Sequence, residues 1–540
     1  MSLGTSMITA TAWVPRGFAA SFPTKHDIDE NELSRISKLA KLNLNDAKDD
    51  LKVAENGKDI SETEESDVDG VETGPSKSKE PIDDDLQEYD LDHYDSDEEA
   101  EKDRTMFGNL KSLVVHEDNA DDPYITLQDD QSDDEREDLQ ILATDNLVVA
   151  AKVEDEVASL EIYVYEDEAD NLYVHHDIML PAIPLCVEWL DLPVGRTADG
   201  QPVDKDSKGN FLAVGTMDPD IEIWDLDTID CMFPNAILGQ GGAEDSTEMD
   251  SGKKKKKRKK SKKVNDHYHV DAVLALAANR NHRNLLASAS ADKSIKLWDL
   301  NTTSCAKSYL YHTDKVCSLA WHAKETTVLL SGSYDRTVIA ADMRAPDAKV
   351  PRWGVESDIE MVRWNPHDAN CFFATTENGL IHYHDMRTVP SKPETSKPVW
   401  KLQAHDKAVS SFDVNPTIPG FLVTGSADEL VKLWSFETKG PSLVASRNLG
   451  VGKVFSTTFA PDAEVSFRLA VAGDEGAVQI WDTSTNPAVR RTFGTRMAPV
   501  EGEVQERLIT VEEDSSDDEE EGGVEPGGRD EQEWDSMEED

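Results

Sequence analysis

Between His269 and Leu300 the chain reads HVDAVLALAANRNHRNLLASASADKSIKLWDL, and the spacing of its apolar residues leaves few ways to fold. VLALA, LLASAS and IKLW place apolar side chains at every second position, the period of a strand buried on one face. Asn281-His282-Arg283-Asn284 and Ala291-Asp292-Lys293 lie between them as short polar turns. The stretch is therefore predicted to be an antiparallel meander. His269, Ser290, Asp292 and Trp298 supply donors and acceptors that one sheet would bring together, the carboxylate accepting from a His N–H and the indole closing the network. Such a network would lock adjacent strands.

The pattern recurs at a period of about 40 residues, as in stacked repeats that share one continuous core. His312 to Asp342 keeps His312, Ser333 and Asp335 but has Ala341 in the Trp position, and Trp353 to Asp385 has Asn378 and His384 in the Asp and Trp positions. His405, Ser426, Asp428 and Trp434 restore the full set, and Val454 to Asp482 ends in Val-Gln-Ile-Trp481-Asp482 with Glu475 in the Asp position. A second tryptophan series ends the first strand of several units: Trp13, Trp189, Trp321 and Trp364. Seven units are counted, centred on 145–179, 180–228, 267–302, 310–345, 353–388, 400–438 and 445–485. Ser-x-Asp-x5-Trp-Asp after an upstream His resembles the WD-repeat signature, which implies an all-β fold, a seven-bladed β-propeller with one four-stranded blade per unit. Residues 7–14 are read as a strand that completes it.

Charge separates the appendages from this body. Of a net charge of −54, residues 1–138 carry −25 and residues 501–540 carry −17, leaving −12 for 139–500. The expected organisation is a strand at 7–14, an acidic, mostly disordered insertion at 15–138, a WD-repeat propeller at 139–500 with a basic loop at 240–266, and an acidic disordered tail at 501–540. Within the insertion, Leu33, Ile36, Ala40 and Leu44 recur near helical spacing and suit an amphipathic docking helix. Five cysteines, with no CxxC pair, point to a reducing compartment and no structural metal. No segment reaches the roughly 18 apolar residues of a membrane span, so a soluble intracellular protein without membrane partners is expected.

The most specific feature outside the repeats is the run Lys253, Lys254, Lys255, Lys256, Lys257, Arg258, Lys259, Lys260, Ser261, Lys262 and Lys263. It resembles a nuclear or nucleolar localisation signal, and by releasing counterions it would also contact RNA phosphates without reading sequence. Ser66, Ser96, Ser132, Ser515 and Ser516 precede acidic residues in the manner of acidophilic kinase sites. Phosphate there would enlarge a docking epitope for Arg-rich partners. No phosphate loop, nucleophile elbow or HExxH motif is present, so neither an enzyme nor a cofactor or small-molecule substrate is expected. The recurring His, Ser and Asp residues occur once per unit, as structural groups do and a single active site does not. The periodic tryptophans are read as core, with Trp353 and Trp400 set apart as candidate stacking faces.

The order of these features, from Ala12-Trp13-Val14 through the acidic insertion, the lysine run and the repeat ending in Trp298-Asp299 to the acidic Ser-rich tail, is similar to the periodic tryptophan protein 1 family. The resemblance implies a nucleolar WD-repeat scaffold in large ribosomal subunit assembly and rRNA processing, with pre-ribosomal proteins and rRNA as partners. It also implies a link to ribosomal DNA transcription and histones, so a chromatin-associated histone-binding propeller is the rival expectation.

Overall fold

The computed structural model describes residues 6–26, 139–155, 157–194, 208–239, 264–345, 348–437, 440–496 and 506–511. The chain divides into a propeller unit, Met1–His26 with Leu139–Asp540, and a segment, Asp27–Asp138, that lies outside the described residues. The docking helix expected near Leu33 falls in that segment.

Seven four-stranded antiparallel sheets form the blades. Blade 3 shows the plan: Val273–Ala278 is innermost, followed outward by Leu285–Ser290, Ile295–Asp299 and Ser304–Tyr309. Blades 4 to 7 repeat this order, beginning at Val316–Trp321, Ile359–Trp364, Ser411–Val414 and Val454–Phe459. Blade 2 starts at Pro184–Leu190 and ends at Ala236–Leu238. In six of the seven blades the inner strand has a register shift near its start, for example between Val273 and Ala275. Such bulges add local right-handed twist.

The core is divided among the blade interfaces. One buried cluster joins Ile223 and Leu238 of blade 2 to Leu276 and Trp298 of blade 3, and six others fill the remaining junctions. Middle strands are apolar on both faces because each blade is covered by two neighbours: Phe211–Thr216 and Cys371–Thr376 are buried at every position.

In blade 1 the strand Ser6–Val14 is innermost and pairs with Asn146–Glu154, which is followed by Val157–Glu166 and Asn171–Leu180. The segment between the first two strands is therefore an insertion within a blade. Two expected boundaries move. Residues 15–26 belong to the packed body: Phe18 meets the Trp189 ring edge-on at 4.8 Å, and Thr24–Lys25 pairs in parallel with Thr228–Ile229. Arg507–Thr510, assigned from sequence to the acidic tail, is the outer strand of blade 7, paired from Gln479↔Thr510 to Asp482↔Arg507 with Ile509 buried. Four residues between acidic stretches are too few to register as an alternating strand. Before it comes a helix absent from the sequence reading, Pro487–Phe493, capped by the Asn486 side chain and buried through Val489 and Phe493.

Candidate functional site

In blade 3 the expected polar network forms with one member exchanged. Asp292 lies 3.0 Å from His269 Nδ1, His269 Nε2 lies 2.6 Å from the Ser288 hydroxyl, and Trp298 Nε1 donates to that same oxygen at 2.8 Å. Proton order follows from the donors available: indole N–H to Ser288, Ser288 O–H to Nε2, Nδ1–H to the carboxylate. Burial lowers the His269 pKa despite Asp292, so the ring is neutral. Burial opposes charge on Asp292, yet hydrogen bonds from His269 and Ser294 hold its carboxyl down at about 2.

Ser290, placed in this network from sequence, lies outside it. Its hydroxyl donates to Asp271 O at 2.9 Å and accepts from Asp292 N at 3.1 Å, shaping the turn that presents the carboxylate. Blade 6 repeats the exchange. Thr424 bridges His405 Nε2 at 2.8 Å and Trp434 Nε1 at 2.9 Å, Asp428 holds His405 Nδ1 at 2.9 Å, and Ser426 serves the turn through Asp428 N at 3.2 Å. Both candidates share a strand face, being two residues apart, and only the one farther from the turn reaches the indole.

The degenerate blades lose the relay stepwise. Blade 4 keeps Asp335, His312 and Ser331, with 3.0 Å and 2.8 Å links, but Ala341 supplies no indole. In blade 5 Ala374 stands at the Ser position, so His384 has no hydroxyl to meet. His384 stacks on Phe372 at 5.4 Å and faces His382 at 6.0 Å, and neither of its ring nitrogens finds a partner among the described residues. Burial lowers the pKa of both histidines to about 4.

The second tryptophan series locks blade to blade. Trp321 Nε1 donates to Ala277 O at 2.9 Å, Trp364 Nε1 to Ala320 O at 3.0 Å, and Trp13 Nε1 to Thr458 O at 3.0 Å. Each of these three indoles thus satisfies an inner-strand carbonyl of the preceding blade, whereas Trp189 Nε1 donates within its own blade to Asn210 Oδ1 at 2.9 Å. Trp353, set apart from sequence as a stacking face, is buried at 1% exposure and offers none.

Inner strands of all seven blades line a central cavity of about 1010 Å³, with Glu360, Tyr334 and Cys317 on its wall. Burial, reinforced by Glu377 and Asp358, raises the Glu360 carboxyl to about 7. Among the described residues no group of three or more His, Cys, Asp or Glu is arranged to hold a metal. The five cysteines are free thiols. Lys253 to Lys263, and Ser66, Ser96, Ser132, Ser515 and Ser516, lie outside the described residues.

The WD domain, G-beta repeat family matches residues 259–299, 303–340 and 396–435. These spans bring in blades 3, 4 and 6, whose relays are complete or lack only the indole. Fold and relay define a WD-repeat β-propeller. An uncharacterised WD repeat-containing protein of Schizosaccharomyces pombe is 48% identical over 94% of this chain and 95% of its own length. Periodic tryptophan protein 1 of Saccharomyces cerevisiae is 38% identical over 93% of this chain and 92% of its own, and the Drosophila melanogaster homolog 30% identical over 90% and 96%. The chain belongs to the periodic tryptophan protein 1 family.

Proposed function

We propose that the protein is a non-catalytic nucleolar scaffold in ribosome biogenesis, acting in large-subunit precursor assembly and rRNA processing. The observation that carries this reading is the lysine run at 253–263, inserted between two blades of a rigid ring. Ten cations in eleven residues supply both a nuclear address and phosphate contact, while acidic appendages keep the particle from binding nucleic acid indiscriminately. A relay that recurs blade after blade supports a structural role for its histidines over a catalytic one.

Replacing Lys253 to Lys263 by a neutral Gly/Ser loop is expected to leave thermal unfolding unchanged and to abolish nuclear accumulation. Returning this variant to the nucleus with an unrelated signal is expected to restore only part of its cosedimentation with large-subunit precursors, with a weaker salt dependence. Full restoration would remove the RNA role. The rival reading, a histone-binding propeller, draws on Glu360 at the cavity wall, whose carboxyl is raised by burial and by Glu377 and Asp358 and which a cationic side chain would ionise. Cosedimentation with nucleosomes and not with precursor particles would decide for it.

A further inference from the structure

On the outer side of the ring, a groove of about 1100 Å³ runs between the outer strand of blade 3 and the outer strand of blade 4, Arg352–Gly354. Its cations are Lys307, Lys349 and Arg352, and no described carboxylate lines it. None of the three forms an ion pair with a described acidic side chain, although the described body carries many such pairs. Arg352 donates to Tyr311 O at 2.6 Å, so its charge is fixed in place by a neutral acceptor. Between the cations the groove exposes aliphatic surface: Leu310 is 65% and Val389 52% exposed.

A basic groove on a net-acidic body calls for an anionic occupant, and its walls discriminate between kinds of anion. A single-stranded nucleic acid needs exposed ring faces on which bases stack. Tyr309 is buried, its hydroxyl donating to Met343 O at 2.8 Å, and it stacks on Tyr311 at 5.4 Å. The exposed apolar groups are aliphatic, which suits an aliphatic side chain flanked by carboxylates. We propose that this groove docks an acidic peptide segment of a partner protein, with an aliphatic anchor against Leu310 and Val389 and carboxylates on Lys307, Lys349 and Arg352.

The test uses the full chain and a fluorescein-labelled peptide in which a Leu-Val pair is flanked by Glu and Asp. The expected result is salt-dependent binding that weakens about tenfold in the variant Lys307→Glu/Lys349→Glu, a change of the size two exposed charge contacts confer. Leu310→Ser is expected to weaken binding several-fold, and to make no further difference when the peptide's Leu-Val pair is replaced by Ser. Both variants should unfold at the wild-type temperature, because the altered side chains project into the groove. Unchanged affinity in the charge-reversed variant would overturn the proposal. So would an equally sensitive, tighter interaction with oligouridylate, which would make the groove a nucleic-acid site. Peptide binding that appears only after removal of residues 512–540 would assign the groove to the chain's own tail and overturn the partner reading.

Discussion

Ser288 and Ser290 point to the same face of one strand, yet only Ser288 stands between a histidine and a tryptophan. Ser288→Ala strands both a buried ring nitrogen and a buried indole N–H, and is expected to cost about 2–4 kcal/mol, whereas Ser290→Ala should cost about 1 kcal/mol. Trp298→Ala, which removes a large buried aromatic, is expected to cost roughly 3–5 kcal/mol. Thermal unfolding of the three variants checks the order. The sequence makes His269, Asp292 and Trp298 legible because their residue types are rare at such regular spacing. It does not separate the two serines, since strand periodicity assigns them the same face and only backbone placement decides which reaches the indole. Acid sensitivity also belongs to single residues. His382 and His384 hold folded pKa values near 4, while in the unfolded chain they take up protons below about 6.5. Both states are neutral at pH 7, and the unfolded state gains protons first as pH falls, so stability is lost between pH 6.5 and 4. At pH 5 the loss is about 2 kcal/mol for each such histidine taken alone. His384→Phe should therefore narrow the gap between denaturant midpoints at pH 7 and pH 5, and an equal gap in variant and wild type would assign the sensitivity elsewhere.

At the scale of elements, the inner three strands of blades 3 to 7 follow from the alternation of apolar residues, and the outer strands do not. Ser304–Tyr309 reads SCAKSY and faces solvent over most of its length, so it carries almost no burial pattern to detect. Arg507–Thr510 is shorter still. Its role is measurable by where the chain is cut. Ending at Glu506 removes the buried Ile509 and the ion pairs of Arg507 with Asp482 and Asp170. The thermal midpoint is expected to fall by about 3 °C, the shift that a loss of two or so kcal/mol produces in a domain of this size. Ending at Val511 should leave the midpoint unchanged.

For the whole molecule, the junction between blades 7 and 1 is where the ring closes, and it closes without exchanging a strand, since each of these blades is built from its own end of the chain. Side chains hold it. Thr11 meets Ser456 at 2.7 Å, Asn146 donates to Asp462 at 2.7 Å, and Arg468 donates to Asp167 at 2.7 Å. Deleting Ser6–Val14 removes the inner strand of blade 1 together with its contacts to blades 2 and 7. The expected outcome is a chain that runs larger on gel filtration and is cut by protease within blades 1 and 7 before the others.

The same arrangement sets a schedule for synthesis. Ser6–Val14 leaves the ribosome before its pairing partner Asn146–Glu154, which follows only after 131 intervening residues. At about 5–20 residues per second that is a wait on the order of ten seconds, and the last strand of blade 7 follows after tens of seconds more. Throughout, a nascent chain presents Ile8, Trp13 and Val14, side chains that the finished ring buries, to whatever can cover them. A protein built this way is expected to depend on a holding chaperone early in translation, and the dependence should ease in a chain whose insertion is shortened.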